Sequence, residues 1–529
     1  MAAATLTFHD TWRPKANPWV IAITVTLATF MEALDTSIVN VAMGHVAGTL
    51  SASRDEATWV LTSYLVANAV VLPISGWIAN RIGRKRFYMS CVFLFTLASL
   101  LCGIAPSLGM LVFFRVLQGA AGGGLQPSEQ AILADTFPPE KRSMAFAVYG
   151  MAVVMAPALG PTVGGWIVDN ASWRWLFFLN IPVGILSLIL TQRLVEDPPY
   201  LAERRKKKEG IDYWGLGLLI VFIGALQMLL DKGQEDDWFS SNFIVTAAVV
   251  GLIAFAFFLY RELNVEHPIV DLRLFKRRNI AMTQIVMFMV GASLYSSTVL
   301  IPQYLQEVMG YSARQAGMAV STGGLVLMFL FPVAGMLAPK FDPRKLVAIG
   351  FCITTYGLLR MTNINQQINF GLAVSWRAVI AIGLPFLFIP INTLCYAGVP
   401  QEKNNEVSGL TALSRNVGGS VGISFVTTLL SRLSQRHQAM LISHAVTGNT
   451  AFDRIRAALA AAWTRQGWSG PDSTLHAGAQ IYGMLQSQAR TLAYVDVIWI
   501  LVALTGLLIP LPFLMNRPKK GTRSAEPVH

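Results

Sequence analysis

Charged residues are scarce in this chain. Asp, Glu, Lys and Arg make up 13% of its 529 residues, whereas hydrophobic residues make up 54%. Soluble domains carry roughly 25% charged residues, so an ordinary soluble protein is excluded and a protein that crosses a membrane many times is predicted. The net charge of +12 does not favour nucleic acid as a partner. The basic residues stand in short loops between apolar runs, where they set orientation in a membrane.

Cysteine is rare as well, and the usual motifs of metal and cofactor sites are missing. The four cysteines all lie within apolar runs and form no CxxC pair, so neither a metal site nor a disulfide framework is predicted. No GxxxxGK[ST], HExxH or GxSxG motif occurs, which counts against ATP-driven transport and hydrolase chemistry. No histidine lies in the middle of an apolar run. We therefore predict a protein that is not an enzyme and needs no cofactor.

Apolar runs dominate what is present. Each is predicted to be an α-helix, because unpaired backbone amides are too costly in ~30 Å of hydrocarbon. Lys and Arg concentrate in alternate loops, as in ERRKKKE at 203–209, so both termini are predicted to be cytoplasmic. The fourteen predicted spans are residues 19–43, 58–80, 87–105, 108–134, 143–168, 175–194, 214–230, 243–262, 281–304, 316–338, 345–361, 376–397, 408–430 and 494–515.

An internal repeat divides this all-α chain. PISGWIANRIGRKR at 73–86, after the second span, matches PVAGMLAPKFDPRK at 332–345, after the tenth, with Gly76 aligned to Gly335. Many transporters consist of two such halves with the substrate site between them. The predicted parts are a cytoplasmic N-terminus at 1–18, a six-helix bundle at 19–194, a basic cytoplasmic loop at 195–213, two inserted helices at 214–262, a second six-helix bundle at 281–515 with a long periplasmic loop at 431–493, and a cytoplasmic tail at 516–529.

Two carboxylic acids interrupt the first span, in the stretch FMEALDTSIVN at 30–40. Glu32 and Asp35 are three residues apart and therefore share a helix face. Each costs roughly 2.5–3.5 kcal/mol at the centre of a membrane helix, so we expect both to face a cavity or a partner. Burial penalises the charged form of a carboxyl group, which makes the pair a candidate proton carrier.

The depth of residues along the helices predicts partners for these acids. Arg115 and Gln118 of the fourth span come level with Asp35 and Glu32, so we predict the pairs Asp35–Arg115 and Glu32–Gln118. A static ion pair that only stabilises the bundle is the alternative. Two further charged residues, Glu129 and Arg415, are open to two interpretations: a functional role, or a side chain that reaches the membrane surface.

Four motifs then accumulate in order: LDTSIVNVA at 34–42, GWIANRIGRKR at 76–86, RVLQGAAGG at 115–123 and APALGPTVGG at 156–165. With these motifs, the chain resembles the fourteen-span drug:proton antiporters of the major facilitator superfamily over essentially its whole length. The resemblance implies two pseudo-symmetric six-helix bundles with two inserted helices. It also implies that Asp35 is the subfamily's signature acid and that Arg115 takes part in proton coupling.

The same resemblance implies roles for the loop and proline motifs. The cytoplasmic motif is thought to latch the two halves together. In this chain Asn80 stands where the family usually has an acid, a departure that weakens any latch based on charge. The motif of the fifth span distinguishes exporters from importers. The residues concerned are Gly76, Asn80, Arg81, Gly83 and Arg84 in the cytoplasmic motif, and Pro157, Gly160, Pro161, Gly164 and Gly165 in the fifth span.

The function that follows is proton-driven export of hydrophobic or amphipathic compounds across a bacterial inner membrane. Gln118, Asn40 and Glu129 are the candidate residues of the substrate cavity, with Glu32, Asp35 and Arg115 for proton coupling. The long loop at 431–493 reads as two short amphipathic helices, 431–446 and 450–466, and the resemblance suggests that it docks a periplasmic adaptor protein and a TolC-like outer-membrane channel. The alternative for this loop is a surface cap without a partner. The alternatives for the whole protein are an importer, a narrow metabolite or fatty-acid exporter, and a receptor or enzyme without transport.

Overall fold

The computed structural model describes residues 14–199, 201, 212–265, 268–397, 399–400, 403–446 and 448–515. Within this part every regular element is helical, as predicted. Most of the predicted N-terminal segment, most of the basic loop at 195–213 and the tail at 516–529 lie outside the described residues.

Residues 18–194, all of which are described, form eight α-helices. Predicted spans four and six are each built from two consecutive helices, α4 with α5 and α7 with α8. The bounds are Pro18–Thr49 for α1, Arg54–Ile82 for α2, Arg84–Gly103 for α3, Leu108–Gly122 for α4, Leu125–Thr136 for α5, Pro139–Asn170 for α6, Trp175–Phe178 for α7 and Asn180–Leu194 for α8.

The described residues from 212 onward contribute nine α-helices. The two inserted helices, α9 and α10, pack on each other, and α9 also packs against the first and second halves. The bounds are Tyr213–Lys232 for α9, Asn242–Asn264 for α10, Arg278–Glu307 for α11, Ala313–Leu337 for α12, Pro343–Met361 for α13, Phe370–Cys395 for α14, Asn404–Ile442 for α15, Thr450–Arg465 for α16 and Gly470–Leu507 for α17.

Twelve segments of the described chain are long and apolar enough to cross a membrane. The two predicted spans outside this set, at 345–361 and 408–430, are nevertheless helical, as parts of α13 and α15. Arg344, Lys345 and Arg360 lower the hydropathy of α13, and α15 is rich in Ser, Asn and Gly. The count of fourteen crossings therefore stays a prediction.

The segment 431–493 is helical over most of its length. A separate short helix at 431–446 is wrong, because α15 continues without a break to Ile442; α17 begins at Gly470, well before the predicted last span. His437 of α15 contacts Asp496 of α17 at 2.8 Å between Nε2 and Oδ2, so the two extensions pack together. The predicted helix at 450–466 corresponds to α16, in which no residue is fully buried.

Helix starts reflect the internal repeat. Ser53 caps α2 and forms a capping box with Glu56, and Ser312 caps α12 and forms one with Gln315. The two serines are separated by the same number of residues as Gly76 and Gly335. Each capping box satisfies two backbone donors that the first helical turn leaves free. The same local structure thus begins the corresponding helix of each half.

The two halves meet mainly along two helix pairs, α2 with α15 and α6 with α12, and smaller contacts join α5 to α15 and α6 to α14. A Cβ atom at Gly76 of α2 would lie 2.6 Å from the backbone oxygen of Asn405 in α15, so only glycine permits this approach. A Cβ atom at Gly335 of α12 would lie 3.0 Å from Cβ of Ala147 in α6. The repeated glycine therefore lies at the interface between the halves in both copies, and the cavity described below lies in this interface.

Candidate functional site

A buried ion pair joins α1 to α4. Arg115 Nη1 donates a hydrogen bond of 2.6 Å to Asp35 Oδ2, and both side chains are inaccessible to solvent. The predicted contact between these residues is confirmed. Arg115 also donates through Nε to the Val60 carbonyl at 3.1 Å, and its guanidinium carbon lies 4.1 Å from the centre of the Tyr64 ring. The arginine is thus fixed by α2 as well as by the acid.

Two amide side chains complete the surroundings of Asp35. Gln118 Nε2 donates to Asp35 Oδ1 at 3.1 Å, and Asn180 Nδ2, at the start of α8, donates to the same oxygen at 2.7 Å. Asn180 also donates to Ser99 Oγ at 3.0 Å. Asn180 is not among the predicted site residues, although its position as the one amide in the apolar stretch WLFFLNIPVG distinguishes it in the sequence.

Glu32 lies one helical turn from Asp35 and has a different set of partners. Its Oε1 accepts from Tyr64 Oη and from Asn68 Nδ2, each at 3.2 Å, and its Oε2 accepts from Gln126 Nε2 at 2.6 Å. All three donors are uncharged. The predicted Glu32–Gln118 pair is wrong, because Gln118 is committed to Asp35.

Gln126 contacts Glu32 in place of the predicted Gln118 because the chain turns between α4 and α5. Three consecutive glycines, 122–124, bring the chain against α2 and α3: a Cβ atom at Gly123 would lie 2.5 Å from the Asn68 carbonyl oxygen, and one at Gly124 would lie 2.5 Å from Cys91 Sγ. The chain that leaves this contact starts α5, whose first turn presents Gln126 to Glu32. Depth along a straight helix does not anticipate such a turn.

A cavity of about 480 Å³ lies between the two halves. Of the predicted cavity residues, Asn40 lines it, while Gln118 and Glu129 do not. Gln118 is fully buried beside Asp35, and Glu129 is fully buried and accepts a 2.5 Å hydrogen bond from Thr26 Oγ1 of α1. Glu129 therefore does not reach the protein surface. Of the two acids of α1, only Glu32 lines the cavity.

The cavity has a direction along the helix axes. Its α2 residues lie between Leu61 and Leu72, before the contact at Gly76 in the chain, and its α15 residues lie between Ala412 and Thr427, after Asn405. All of them are therefore on one side of the α2–α15 contact, the side that the basic loops predict to be periplasmic. Two inserted-helix residues, Leu230 and Asp231, also line this side.

Arg415 of α15 is buried in the same region and does not extend to a membrane surface. Its Nη1 donates to Tyr149 Oη at 2.9 Å, and its Nη2 donates to Gln126 Oε1. Since Gln126 also donates to Glu32, one amide connects a cation of the second half to an acid of the first. Neither Gln126 nor Tyr149 belonged to the predicted site residues.

Amide groups form the contact at the predicted cytoplasmic motif. Asn405 Nδ2 of α15 donates to Asn80 Oδ1 of α2 at 2.5 Å. The asparagine that departs from the family pattern therefore makes a neutral hydrogen bond between the halves. Gly83 connects α2 to α3 with φ of +100°, a left-handed conformation that favours glycine. Arg81 is exposed, and its guanidinium carbon lies 5.6 Å from the centre of the Trp77 ring.

Arg84 supplies the charged part of the same contact. It is buried, forms an ion pair with Asp135 of α5 and donates from Nη1 to the Ala131 carbonyl at 3.0 Å. Asp135 Oδ1 in turn accepts from Asn404 Nδ2 of α15 at 2.7 Å. The contact between the halves therefore includes the ion pair of Arg84 and Asp135, although Asn80 replaces the acid within the motif itself.

The fifth-span motif packs α6 between α1 and the second half. A Cβ atom at Gly160 would lie 2.3 Å from Ser37 Oγ, and one at Gly164 would lie 3.1 Å from the Ile38 carbonyl oxygen, whereas Gly165 faces open space. The Pro157 carbonyl accepts a 2.9 Å hydrogen bond from Ser37 Oγ.

The other side of α6 faces α12. Pro161 lies against Gly317, where an added Cβ atom would be 3.2 Å from the proline side chain. Thr162 Oγ1 and Ser321 Oγ are 2.8 Å apart, and Ser321 donates to the Ala158 carbonyl at 2.6 Å. Because α6 continues through both prolines as one helix, the motif acts as a packing surface on two sides.

The second half holds a counterpart of the Arg115 site without its acid. Arg377 of α14 is buried and donates to Ser297 Oγ and Thr298 Oγ1, each at 3.1 Å. Arg377 follows Arg115 by as many residues as Ser297 follows Asp35. A hydroxyl group therefore stands where the first half has a carboxylate, so the combination of acid and arginine belongs to the first half of the described chain.

The amino-acid sequence matches the family model described as the Major Facilitator Superfamily over residues 25–423. The chain belongs to this superfamily. It is 38% identical to the multidrug export protein EmrB of Escherichia coli (strain K12) over 423 residues, which cover 80% of this chain and 82% of that protein. It is 39% identical to the fatty acid resistance protein FarB of Neisseria gonorrhoeae over 430 residues, which cover 81% and 84%.

A further relative and a solved structure extend the comparison. The colistin resistance protein EmrB of Acinetobacter baumannii is 30% identical over 510 residues, which cover 96% of this chain and 98% of that protein. The fold is similar to that of the proton:xylose symporter XylE, with a TM-score of 0.58 at 14% identity over 91% of this chain and 99% of that chain. The predicted family is confirmed. This major facilitator is therefore a multi-pass membrane transporter rather than an enzyme.

Proposed function

We propose that this major facilitator exports hydrophobic or amphipathic compounds across a bacterial inner membrane in exchange for protons. The names of its relatives, a multidrug export protein and two resistance proteins, support export of toxic compounds. In this proposal the protein belongs to the drug:proton antiporters, crosses the membrane fourteen times, and keeps both termini in the cytoplasm. It needs no cofactor, since the proton gradient supplies the energy.

The single observation that carries the proposal is the setting of Glu32. It is a carboxyl group inside the membrane region that lines the cavity and is held by uncharged donors. Ionisable residues at this depth are rare and commonly belong to proton or substrate pathways. A proton that enters the cavity from the periplasm meets Glu32 before it meets Asp35, which is buried against Arg115. We therefore assign proton carriage to Glu32 and a fixed counter-charge to the Asp35–Arg115 pair.

Gln126 links this proton to the movement of the halves. Hydrogen bonds to a charged carboxylate are roughly twice as strong as neutral ones, so protonation of Glu32 weakens the bond from Gln126. Gln126 also holds Arg415 of the second half. In the proposed cycle, protonation from outside loosens this connection as substrate is released, and loss of the proton to the cytoplasm restores it. The two halves then rock about the site.

The cavity walls favour substrates of varied shape. Apolar side chains from both halves, among them Leu61, Leu65, Val153, Val299 and Ile423, surround few polar groups. A largely apolar pocket discriminates weakly between hydrophobic molecules, because a missing methylene group costs only about 1–3 kcal/mol of binding. Broad specificity is therefore expected for hydrophobic compounds.

We further propose that the helical segment 431–493 docks a periplasmic adaptor protein, which would join the transporter to a TolC-like outer-membrane channel. The amphipathic α16 packs against α17 but has no fully buried residue, and its Ile455 is 52% exposed. The docking can be tested separately from transport by pull-down. The intact transporter is compared with a variant in which residues of this segment are replaced.

A fatty-acid exporter is the second candidate. FarB, at 39% identity, is named a fatty acid resistance protein. Arg415 lines the cavity and its two side-chain hydrogen bonds go to uncharged groups, which favours an anionic substrate. Competition between dodecanoate and a cationic dye in the same assay separates this candidate from broad export. An importer would be recognised by uptake in the direction of the proton gradient.

The test is transport in proteoliposomes under an imposed pH gradient. We compare the wild type with Glu32→Gln and Asp35→Asn, using ethidium and dodecanoate as probes. Asp169→Asn, which neutralises an exposed acid near the end of α6 outside the cavity, is the control. We expect the wild type and the control to concentrate a probe against its gradient. We expect Glu32→Gln to exchange probe without concentrating it, and concentrative transport by both acid variants would refute the coupling site.

A further inference from the structure

The first inserted helix, α9, reaches the substrate cavity. Its Gln227 Nε2 donates to Ser420 Oγ of α15 at 2.8 Å, and its last residue, Lys232, bonds Thr58 Oγ1 of α2. The helix is therefore attached to both halves beside the cavity. Its final turn and the residues after it line the cavity with Leu230, Asp231, Gln234 and Glu235.

Among these lining residues, Asp231 has a carboxylate oxygen without a hydrogen-bond partner among the residues that the structure describes. Its Oδ1 accepts from Gln227 Nε2 at 3.1 Å, but its Oδ2 is buried and has no hydrogen-bond partner within the described chain. A buried carboxylate oxygen without a partner is costly. The position adds to the cost, because the C-terminal end of a helix carries partial negative charge and disfavours an acid.

The nearby cations are engaged elsewhere. Lys232 Nζ lies 2.6 Å from Glu235 Oε2 and also bonds Thr58. Arg115 is paired with Asp35, and Arg415 is bound by Tyr149 and Gln126. No ion pair to Asp231 is formed by the residues that the structure describes. Asp231 therefore lines the cavity without an ion pair to the described residues, and its carboxylate has capacity for a positively charged group.

We propose that Asp231 is a substrate-binding residue that accepts the cationic nitrogen or phosphonium group of an amphipathic cation, while the apolar walls hold the rest of the molecule. This rests on the export function proposed above and specifies one class of substrate for it. A metal ion is a poor alternative, because divalent cations need several oxygen ligands and no group of three or more acids, histidines or cysteines with that geometry occurs in the described residues.

The proposal gives the inserted helices a role that neither six-helix half supplies. Leu230 of α9 and Ile423 of α15 both line the cavity and belong to its apolar surface. Glu32 lies deeper, on α1, and Asp231 lies at the end of α9 toward the predicted periplasmic side. The protein then separates two tasks between two acids: Glu32 exchanges the proton and Asp231 selects the charge of the substrate.

Equilibrium binding to the purified full-length transporter tests this directly, with tetraphenylphosphonium as the cationic probe and dodecanoate as the anionic one. A lost charge-assisted contact corresponds to about tenfold to a hundredfold in Kd, so we expect this rise for tetraphenylphosphonium in Asp231→Asn. We expect Asp231→Glu to bind close to wild type and the Kd for dodecanoate to stay the same or fall. Asp236→Asn is the matched control, because this exposed acid follows the same helix but does not line the cavity, and it should leave the Kd for both probes unchanged.

The outcomes separate this inference from the proposed function. Equal affinity of wild type and Asp231→Asn for tetraphenylphosphonium overturns the inference, as does absence of binding by the wild type. An equal loss for both probes, together with a lower unfolding temperature, overturns it too, since that pattern marks a structural role. Failure of the export proposal appears instead as a wild type that binds probes but never concentrates them in proteoliposomes.

Discussion

Glu32 and Arg415 are bound to opposite ends of one side-chain amide, that of Gln126. The amide nitrogen donates to Glu32 at 2.6 Å, and the amide oxygen accepts from Arg415. The acid belongs to the first half of the transporter and the arginine to the second. Gln126 therefore connects the charge of Glu32 to the second half. Asn68 makes a second connection, because it donates to Glu32 and accepts from Asn416 Nδ2 of α15 at 3.2 Å.

Replacement of Gln126 by Leu is expected to uncouple transport from the proton gradient. The substitution keeps the volume but removes both hydrogen bonds. A hydrogen bond to a charged group contributes about 1.5–3 kcal/mol, so we expect the concentrative rate in proteoliposomes to fall by about tenfold or more. Gln234→Leu, which alters a lining glutamine on the inserted segment, should keep most of the activity. Full activity of Gln126→Leu would show that the amide is not the link.

The two acids of α1 should differ in their effect on stability. Asp35→Asn leaves the buried Arg115 without a counter-charge, which costs about 3–5 kcal/mol of unfolding free energy in comparable buried pairs. Glu32→Gln keeps a side chain that neutral donors and acceptors can satisfy, so its loss should be smaller. Thermal unfolding in one detergent measures both. Similar losses for the two variants would contradict the different roles assigned to them.

Gly76 offers a steric test of the contact between α2 and α15. A Cβ atom there would lie 2.6 Å from the Asn405 backbone oxygen, so Gly76→Ala should push the helices apart on the side of the cytoplasmic motif. We expect transport to fall severalfold and a cysteine introduced at Asn80 to react faster with a water-soluble maleimide. Gly165→Ala is the matched control, because open space surrounds that position. If both alanine variants behave alike, the close approach does not limit the cycle.

Arg115 and Arg377 provide a comparison between the halves. Arg115 faces a carboxylate, whereas Arg377 faces two hydroxyl groups. We expect Arg115→Lys to abolish proton-driven transport, because the single side-chain nitrogen of lysine cannot take the place of both Nη1 at Asp35 and Nε at the Val60 carbonyl. Arg377→Lys should reduce substrate-driven exchange and proton-driven transport in the same proportion. The ratio of proton-driven transport to substrate-driven exchange, measured in one vesicle preparation, distinguishes loss of coupling from general damage. If this ratio is equal for both variants, Arg115 does not take part in coupling.

Much of the architecture follows from the sequence. Apolar runs of membrane length predict helices because unpaired amides cannot remain in lipid, and those helices are present. The contact between Asp35 and Arg115 is also predictable, since each residue adds a fixed 1.5 Å of rise along a helix and so reports its depth. Depth, order and repeat are properties of the chain itself.

Tertiary packing decided the rest. Depth along α4 predicted Gln118 for Glu32, but the glycines at 122–124 turn the chain and bring Gln126 there instead. Only the assembled helices reveal that Glu32 lines the cavity while Asp35 does not, and that Asp231 of an inserted helix joins the same space. The sequence determined which groups cross the membrane region and at what level. How each helix is rotated, and hence which groups meet, depends on close contacts between residues far apart in the chain.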